Sequence, residues 1–129
     1  MSVETHGIED LTAGELRVEV SPGGEASGIR LTFLGKSNAQ QPGEVLQPYL
    51  ARAIEAAVAR SFGLELHFER LEYFNSSTIK VIIRFVQEAR QCKVPLLLVH
   101  DGALRWQKLS FDALRMFDRG DGLLRLKGG

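Results

Sequence analysis

Four small polar residues stand together at Asn75-Ser76-Ser77-Thr78, directly after the aromatic pair Tyr73-Phe74. An apolar run follows at Ile79, Ile82, Ile83 and Val86, spaced i, i+3, i+4, i+7, which predicts a helix starting near Ser76. The cluster then stands at a helix N-terminus, where the first N–H groups lack intrahelical partners and the aligned peptide dipoles leave partial positive charge. Two roles suit it, and they are compatible. Asn and Ser are favoured caps, worth about 1 kcal/mol against Ala. A hydroxyl at this place can also carry a phosphate, because the helix end stabilises an anion. A cradle for nucleotide phosphates has less support, since no glycine-rich loop precedes the helix.

Other reactive residues compete with this cluster for a role. His100 and Asp101 are adjacent, and with Ser76 they suggest a small serine hydrolase. Against it, neighbouring His and Asp rarely position each other as base and orienter, and the chain has no Gly-x-Ser-x-Gly. His67 falls on the polar side of a predicted strand. No His, Cys, Asp and Glu residues share metal-ligand spacing, so neither metal nor cofactor is expected. Cys92 is the single cysteine, which excludes an internal disulfide and reads as a plain helical thiol. Trp106, Phe111 and Phe117 are read as core, with Trp106 suited to an interface where it is exposed.

The elements that must position these residues follow from periodicity. Leu16, Val18 and Val20 alternate with charged residues, and Ile29–Leu34 follows a Pro22-Gly23-Gly24 turn, so the two predict an antiparallel hairpin. Residues 35–43 read as a polar loop. Leu46, Leu50, Ile54, Ala57 and Val58 share one helical face over about 44–61, with Gly63 placed to stop the helix. Leu64, Leu66 and Phe68 alternate with Glu65, His67 and Glu69 as a third strand. After the helix from Ser76, Val94–Val99 is a continuous apolar run, expected for an interior strand parallel to Leu64–Phe68. A last helix over 103–117, broken near Ser110, and a short strand at 123–126 complete the order β-β-α-β-α-β-α-β. The β-α-β passages demand parallel strands with right-handed crossovers. The polar cluster then lies at the carboxyl end of the sheet, where open α/β sheets place their sites.

The chain has 129 residues, which suits one domain; residues 1–13 are expected to be a flexible tail and 14–129 the domain. Sixteen basic residues balance sixteen acidic ones, which argues against a general nucleic-acid binder. Acidic residues prevail over 1–50 and basic ones over 51–129. The polar, acidic start is unlike a signal peptide, and no apolar run approaches the ~20 residues that span a bilayer, so the expected location is the cytoplasm and no membrane partner is expected.

Residues 64–79, LELHFERLEYFNSSTI, resemble the central segment of STAS domains, the fold of bacterial anti-sigma-factor antagonists. In that family an apolar strand leads to Asp-Ser-Ser/Thr-Gly and then a helix. Here Leu64, Leu66 and Phe68 supply the strand, Leu71 and Phe74 the approach, and Asn75-Ser76-Ser77-Thr78 the turn. Asn75 stands where the family has Asp, and Thr78 where it has Gly, as in a divergent branch. The element order agrees over about residues 15–127. The resemblance implies a single α/β domain of STAS type, with a mixed sheet of four to five strands and helices mainly on one face. It further implies a non-enzymatic regulator of a partner-switching pathway. Ser76 would be phosphorylated by a serine kinase of anti-sigma type and restored by a serine phosphatase; Ser77 and Thr78 are secondary candidates. The partner surface would comprise Asn75, Ser76, Ser77, Thr78 and Lys80. The alternatives are an unphosphorylated scaffold subunit of a sensory complex and the serine hydrolase.

Overall fold

The computed structural model describes residues 7–24 and 27–128, with only the backbone of Ser27. The expected element order is present, with two further strands. The strands are β1 (Leu11–Ala13), β2 (Leu16–Pro22), β3 (Ser27–Ser37), β4 (Gly63–His67), β5 (Leu71–Phe74), β6 (Leu96–His100) and β7 (Leu124–Gly128). The helices are α1 (Gly43–Arg60), α2 (Ser76–Gln91) and α3 (Arg105–Asp112), the last running into a 3-10 turn at Ala113–Phe117. The sheet order is β1-β2-β3-β4-β6-β7, with β5 also paired to β3. β1, β2 and β3 run antiparallel, whereas β3/β4, β4/β6 and β6/β7 are parallel. As expected, β6 is interior and lies parallel to β4, with Leu64 beside Leu96 and Leu66 beside Leu98.

Three expectations need correction. Among the described residues the sheet has seven strands, not four to five. β1 and β5 are three and four residues long, too short for an alternation to register in the sequence. The domain also begins before residue 14, because Ile8 is buried and Leu11–Ala13 pairs with β2; residues 1–6 of the expected tail lie outside the described residues. Finally, Gly63 does not stop α1. Ser61 takes the left-handed position at φ 58° and returns its N–H to Ala57 O, while Gly63 already opens β4.

The helices share one face of the sheet. Leu46, Leu50, Ala53, Ile54 and Ala57 of α1 and Val81, Ile82, Phe85, Val86 and Ala89 of α2 are buried in one cluster with Leu64, Leu66, Phe68, Leu96 and Leu98. Each large side chain removed from water in this layer contributes roughly 1.5–3 kcal/mol. α3 joins the same layer through Phe111, which lies 4.9 Å from the Phe68 ring and 5.0 Å from that of His100.

The opposite face carries the alternate residues. Register aligns Arg30, Glu65, Leu97 and Arg125 in one row across it. Glu65 is only 5 % exposed. Its Oε2 accepts from the Gly24 N–H at 2.6 Å, and its Oε1 accepts from Arg30 Nε at 3.0 Å and lies 2.9 Å from His67 Nε2. Burial opposes the carboxylate, but the hydrogen bonds from His67, Gly24 and Arg30 outweigh it and hold the pKa at about 2. The β2–β3 hairpin is thereby fastened to the centre of the sheet.

Two predictions follow from these constraints. Because the folded pKa of Glu65 is depressed, its stabilisation is complete above the unfolded value near 4.5 and is lost as pH falls through about 2. Urea titrations should therefore lose about 2–4 kcal/mol from this group between pH 5 and 2, and Glu65→Gln should flatten that part of the profile. Gly35 sits at φ +80°, and a Cβ there would overlap the Glu15 carbonyl oxygen. Gly35→Ala should cost on the order of 2–4 kcal/mol in urea unfolding.

Candidate functional site

The chain reaches the site through a short relay of backbone hydrogen bonds. After β4, Leu71 N–H donates to Phe68 O at 3.0 Å, and β5 turns upward beside the last residues of β3. At the end of β5, Asn75 N–H donates to Ser37 O at 3.0 Å. α2 begins at the next residue. Asn75 is its N-cap, in extended conformation at φ −90°, ψ 175°. Its Oδ1 accepts from Thr78 N at 2.9 Å, the bond a cap is expected to make.

The Asn75 amide does more than cap. Oδ1 also accepts from Thr78 Oγ1 at 2.7 Å, and Nδ2 donates to Ala39 O at 2.8 Å. Thr78 Oγ1 lies 2.7 Å from Ser37 Oγ, and both residues are buried, at 2 % and 3 % exposure. A threonine hydroxyl has one proton. With that proton given to Asn75 Oδ1, Ser37 Oγ is the donor to Thr78 Oγ1. The three side chains form a clasp that ties the segment after β3 to the first turn of α2. Both departures from the STAS motif are used here: the amide of Asn75 supplies a donor that an Asp lacks, and Thr78 supplies a hydroxyl that a Gly lacks.

The three hydroxyls of the cluster are therefore unequal. Ser76 is exposed at the first position of α2, and its hydroxyl makes no hydrogen bond among the described residues. Ser77 is half-buried, and Thr78 is committed to the clasp. The first turn of α2 holds no acidic residue, and Lys80 is exposed one turn further on. Negative charge at Ser76 would meet the helix dipole without a neighbouring carboxylate in that turn. Tyr73, just before the cap, is also exposed.

The other candidates lie apart from this arrangement. His100 is 2 % exposed and faces the core, where its ring stacks on Phe111 and its Nδ1 has no hydrogen-bond partner among the described residues. Burial pushes its pKa below the usual range, with the Arg115 charge adding to the shift. Asp101 turns away to accept from Ala103 N–H. No hydrogen bond links Ser76, His100 and Asp101 among the described residues, so the triad is not assembled. His67 belongs to the Glu65 network, 3.2 Å from Glu69 through its other nitrogen. Trp106 is half-buried and packs edge-on to Phe74 at 5.1 Å, in the core layer. Cys92 is exposed just after α2. No group of His, Cys, Asp or Glu among the described residues is arranged to hold a metal, and no described helix is long and apolar enough to cross a membrane.

The sequence did not point to Ser37 and Ala39, both within residues 35–43, which read as a polar loop. Ser37 is 41 residues from Thr78, and nothing in local spacing joins them. Nor did the sequence point to a groove of about 620 Å³ between the β1–β2 turn and the start of α1. Gly14, Lys36, Asn38, Gln41 and Val45 are among its lining residues. The clasped segment after Ser37 forms one wall.

The clasp has a measurable energy. Asn75→Ala should lower stability by about 1 kcal/mol through the cap alone. Thr78→Val keeps the volume but leaves the buried Ser37 hydroxyl without its side-chain partner and removes one of the two bonds to Asn75 Oδ1, and should cost about 1–3 kcal/mol. Adding Ser37→Ala to Thr78→Val should cost less than the sum of the single changes, because the two hydroxyls share one bond. Urea unfolding of wild type and the four variants checks this.

No protein-family model matches the sequence, and no curated protein is significantly similar to it. Solved structures do match. An anti-sigma factor antagonist from Mycobacterium paratuberculosis superposes with a TM-score of 0.57 at 16 % identity, over 92 % of this chain and 92 % of that one. A chain in the complex of the diguanylate cyclase SiaD with its activator SiaC, from Pseudomonas aeruginosa, superposes with a TM-score of 0.57 at 21 % identity, over 93 % of this chain and 98 % of that one. At these identities the likeness is one of fold. The chain shares its fold with these two structures over nearly its whole length, and that fold agrees with the one expected from the STAS resemblance of residues 64–79.

Proposed function

We propose that this chain is a non-enzymatic regulator in a bacterial partner-switching pathway, acting in the cytoplasm by binding proteins. The observation that carries this reading is the exposed hydroxyl of Ser76 at the N-terminus of α2, at the carboxyl end of the sheet. Ser76 is the phosphorylation site in this proposal, modified by a serine kinase of anti-sigma type and restored by a serine phosphatase. Ser76 and Lys80 offer the partner exposed side chains, Ser77 a half-buried one, and Asn75 and Thr78 hold the surface in place. The two similar structures support protein binding as the mode of action, since one is an antagonist of an anti-sigma factor and the other holds an enzyme with its activator. The regulated partner is accordingly an anti-sigma factor, with transcription as the output, or an enzyme such as a nucleotide cyclase. Neither nucleic acid nor membrane is a partner in this reading.

The energetic logic is local. Phosphate adds about −1.5 to −2 charge to Ser76. The helix dipole offsets part of the cost within the chain, so the fold survives. In a closely packed interface the same charge must be paired or desolvated, at several kcal/mol when unpaired. A 10- to 1000-fold loss of affinity corresponds to roughly 1.4–4 kcal/mol.

The test compares wild type, Ser76→Ala and Ser76→Asp for folding and for affinity to the partner co-purified from the native host, with mass spectrometry of Ser76, Ser77 and Thr78. Wild type and Ser76→Ala should bind, and Ser76→Asp or the phosphorylated chain should bind at least tenfold more weakly. Equal binding by three folded proteins, with no phosphate at any of the three hydroxyls, would leave the unphosphorylated scaffold as the surviving reading. Ester or phosphate hydrolysis abolished by Ser76→Ala or His100→Ala would overturn the non-enzymatic assignment.

A further inference from the structure

We propose that the Ser37–Asn75–Thr78 clasp is a release element: a phosphate on Ser76 takes over the α2 N–H group held by Asn75 and frees the segment after Ser37, reshaping the groove beside α1. The inference rests on the reading that Ser76 is the modified residue, and it adds what the modification does to this chain.

The geometry sets up a direct competition. Thr78 N–H, in the first turn of α2, is held at 2.9 Å by a neutral side-chain amide oxygen, Asn75 Oδ1, and shared at 3.1 Å with the Asn75 backbone carbonyl. A phosphate on the adjacent residue brings three strong acceptor oxygens and a charge that the helix end attracts. Charge-assisted hydrogen bonds are roughly twice as strong as neutral ones. The Asn75 side chain moves as one planar unit. Turning Oδ1 away from Thr78 also turns Nδ2 away from Ala39 O and leaves the Thr78 hydroxyl only its longer, 3.4 Å contact to Ser37 O.

The segment that would be freed has few other supports. Its first residue is held by the Asn75 N–H to Ser37 O bond, and its far end by Glu44 N–H to Gln41 O at 3.2 Å. Between these, Ala39 is gripped by Asn75, and Asn38 Nδ2 donates to the exposed Glu15 carboxylate at 2.8 Å. Loss of the Asn75 grip leaves the middle of the segment with one solvent-exposed side-chain bond. Residues 38–41 all line the groove, so their order decides its shape.

The experiment uses the full chain, labelled with nitrogen-15, with phosphoserine installed at position 76 during synthesis so that no kinase is needed. Phosphoserine at 76 should lower the backbone order parameters of residues 38–41 from about 0.85 to below about 0.6 and move the Asn75 side-chain amide resonances. Asn75→Ala should loosen the same residues without phosphate, and Ser37→Ala should do so in part from the other side of the clasp. Ser76→Ala should leave them rigid. Unchanged order parameters and an unmoved Asn75 amide in the phosphorylated chain overturn the proposal, as does a rigid segment in both Asn75→Ala and Ser37→Ala. A native chain that never carries phosphate would instead sink the proposed function and leave this measurement standing.

Discussion

The carboxyl end of the sheet is organised around Phe68. Its ring is fully buried, stacked on Phe33 at 4.6 Å and tilted against Phe111 at 4.9 Å, so it joins β3, the end of β4 and α3 in one contact. Its backbone is equally committed. The N–H donates to Val99 O at 2.8 Å, and the carbonyl accepts from both Leu71 N–H and Gln107 Nε2. A buried carbonyl left unpaired would cost about 1–3 kcal/mol, so the turn into β5 and the docking of α3 are coupled through one oxygen. Gln107, fully buried, extends the coupling by also donating to Leu71 O and accepting from Asp101 N–H. The cap at Asn75 stands four residues beyond Leu71, on a strand whose start is fixed in this way.

Polar chemistry is divided between the two faces of the sheet. On the helix-free face, Glu65 stays ionised because three donors repay its burial, and the result is a mechanical fastening of the β2–β3 hairpin. On the helical side, the polar groups of the clasp are neutral: an amide and two hydroxyls, with Ser37 donating its hydroxyl proton to Thr78 Oγ1 and Thr78 donating its own to Asn75 Oδ1. A neutral network is inexpensive to bury when every member is satisfied. It is also easier to displace than an ion pair. The arrangement therefore places a weakly held clasp next to the exposed hydroxyl of Ser76.

Much of this was legible in the sequence. The i, i+3, i+4, i+7 spacing from Ile79 marked α2, and the alternation at Leu64–Phe68 marked β4. The unbroken run before His100 marked β6 as interior and parallel. These signals persist because a buried layer demands one apolar residue per turn or per second residue, whatever the partner. β1 and β5 left no such trace: each is held by hydrogen bonds to a longer neighbour and needs only one or two inward side chains. The stop of α1 was misplaced because glycine is the usual left-handed residue, whereas the chain uses Ser61 and spends Gly63 in a buried strand.

The site shows the same division more sharply. That Asn75-Ser76-Ser77-Thr78 caps a helix at the carboxyl end of a parallel sheet follows from local period and element order, which are properties of neighbouring residues. Which hydroxyl is free does not. Ser76, Ser77 and Thr78 all carry hydroxyls in the sequence, and Thr78 is set apart only when β3 brings Ser37 against the start of α2. Local sequence sets the capping geometry because it acts through bonds three residues apart. Tertiary structure decides the rest, because a hydroxyl's availability depends on a partner 41 residues away that only the pairing of β5 with β3 delivers.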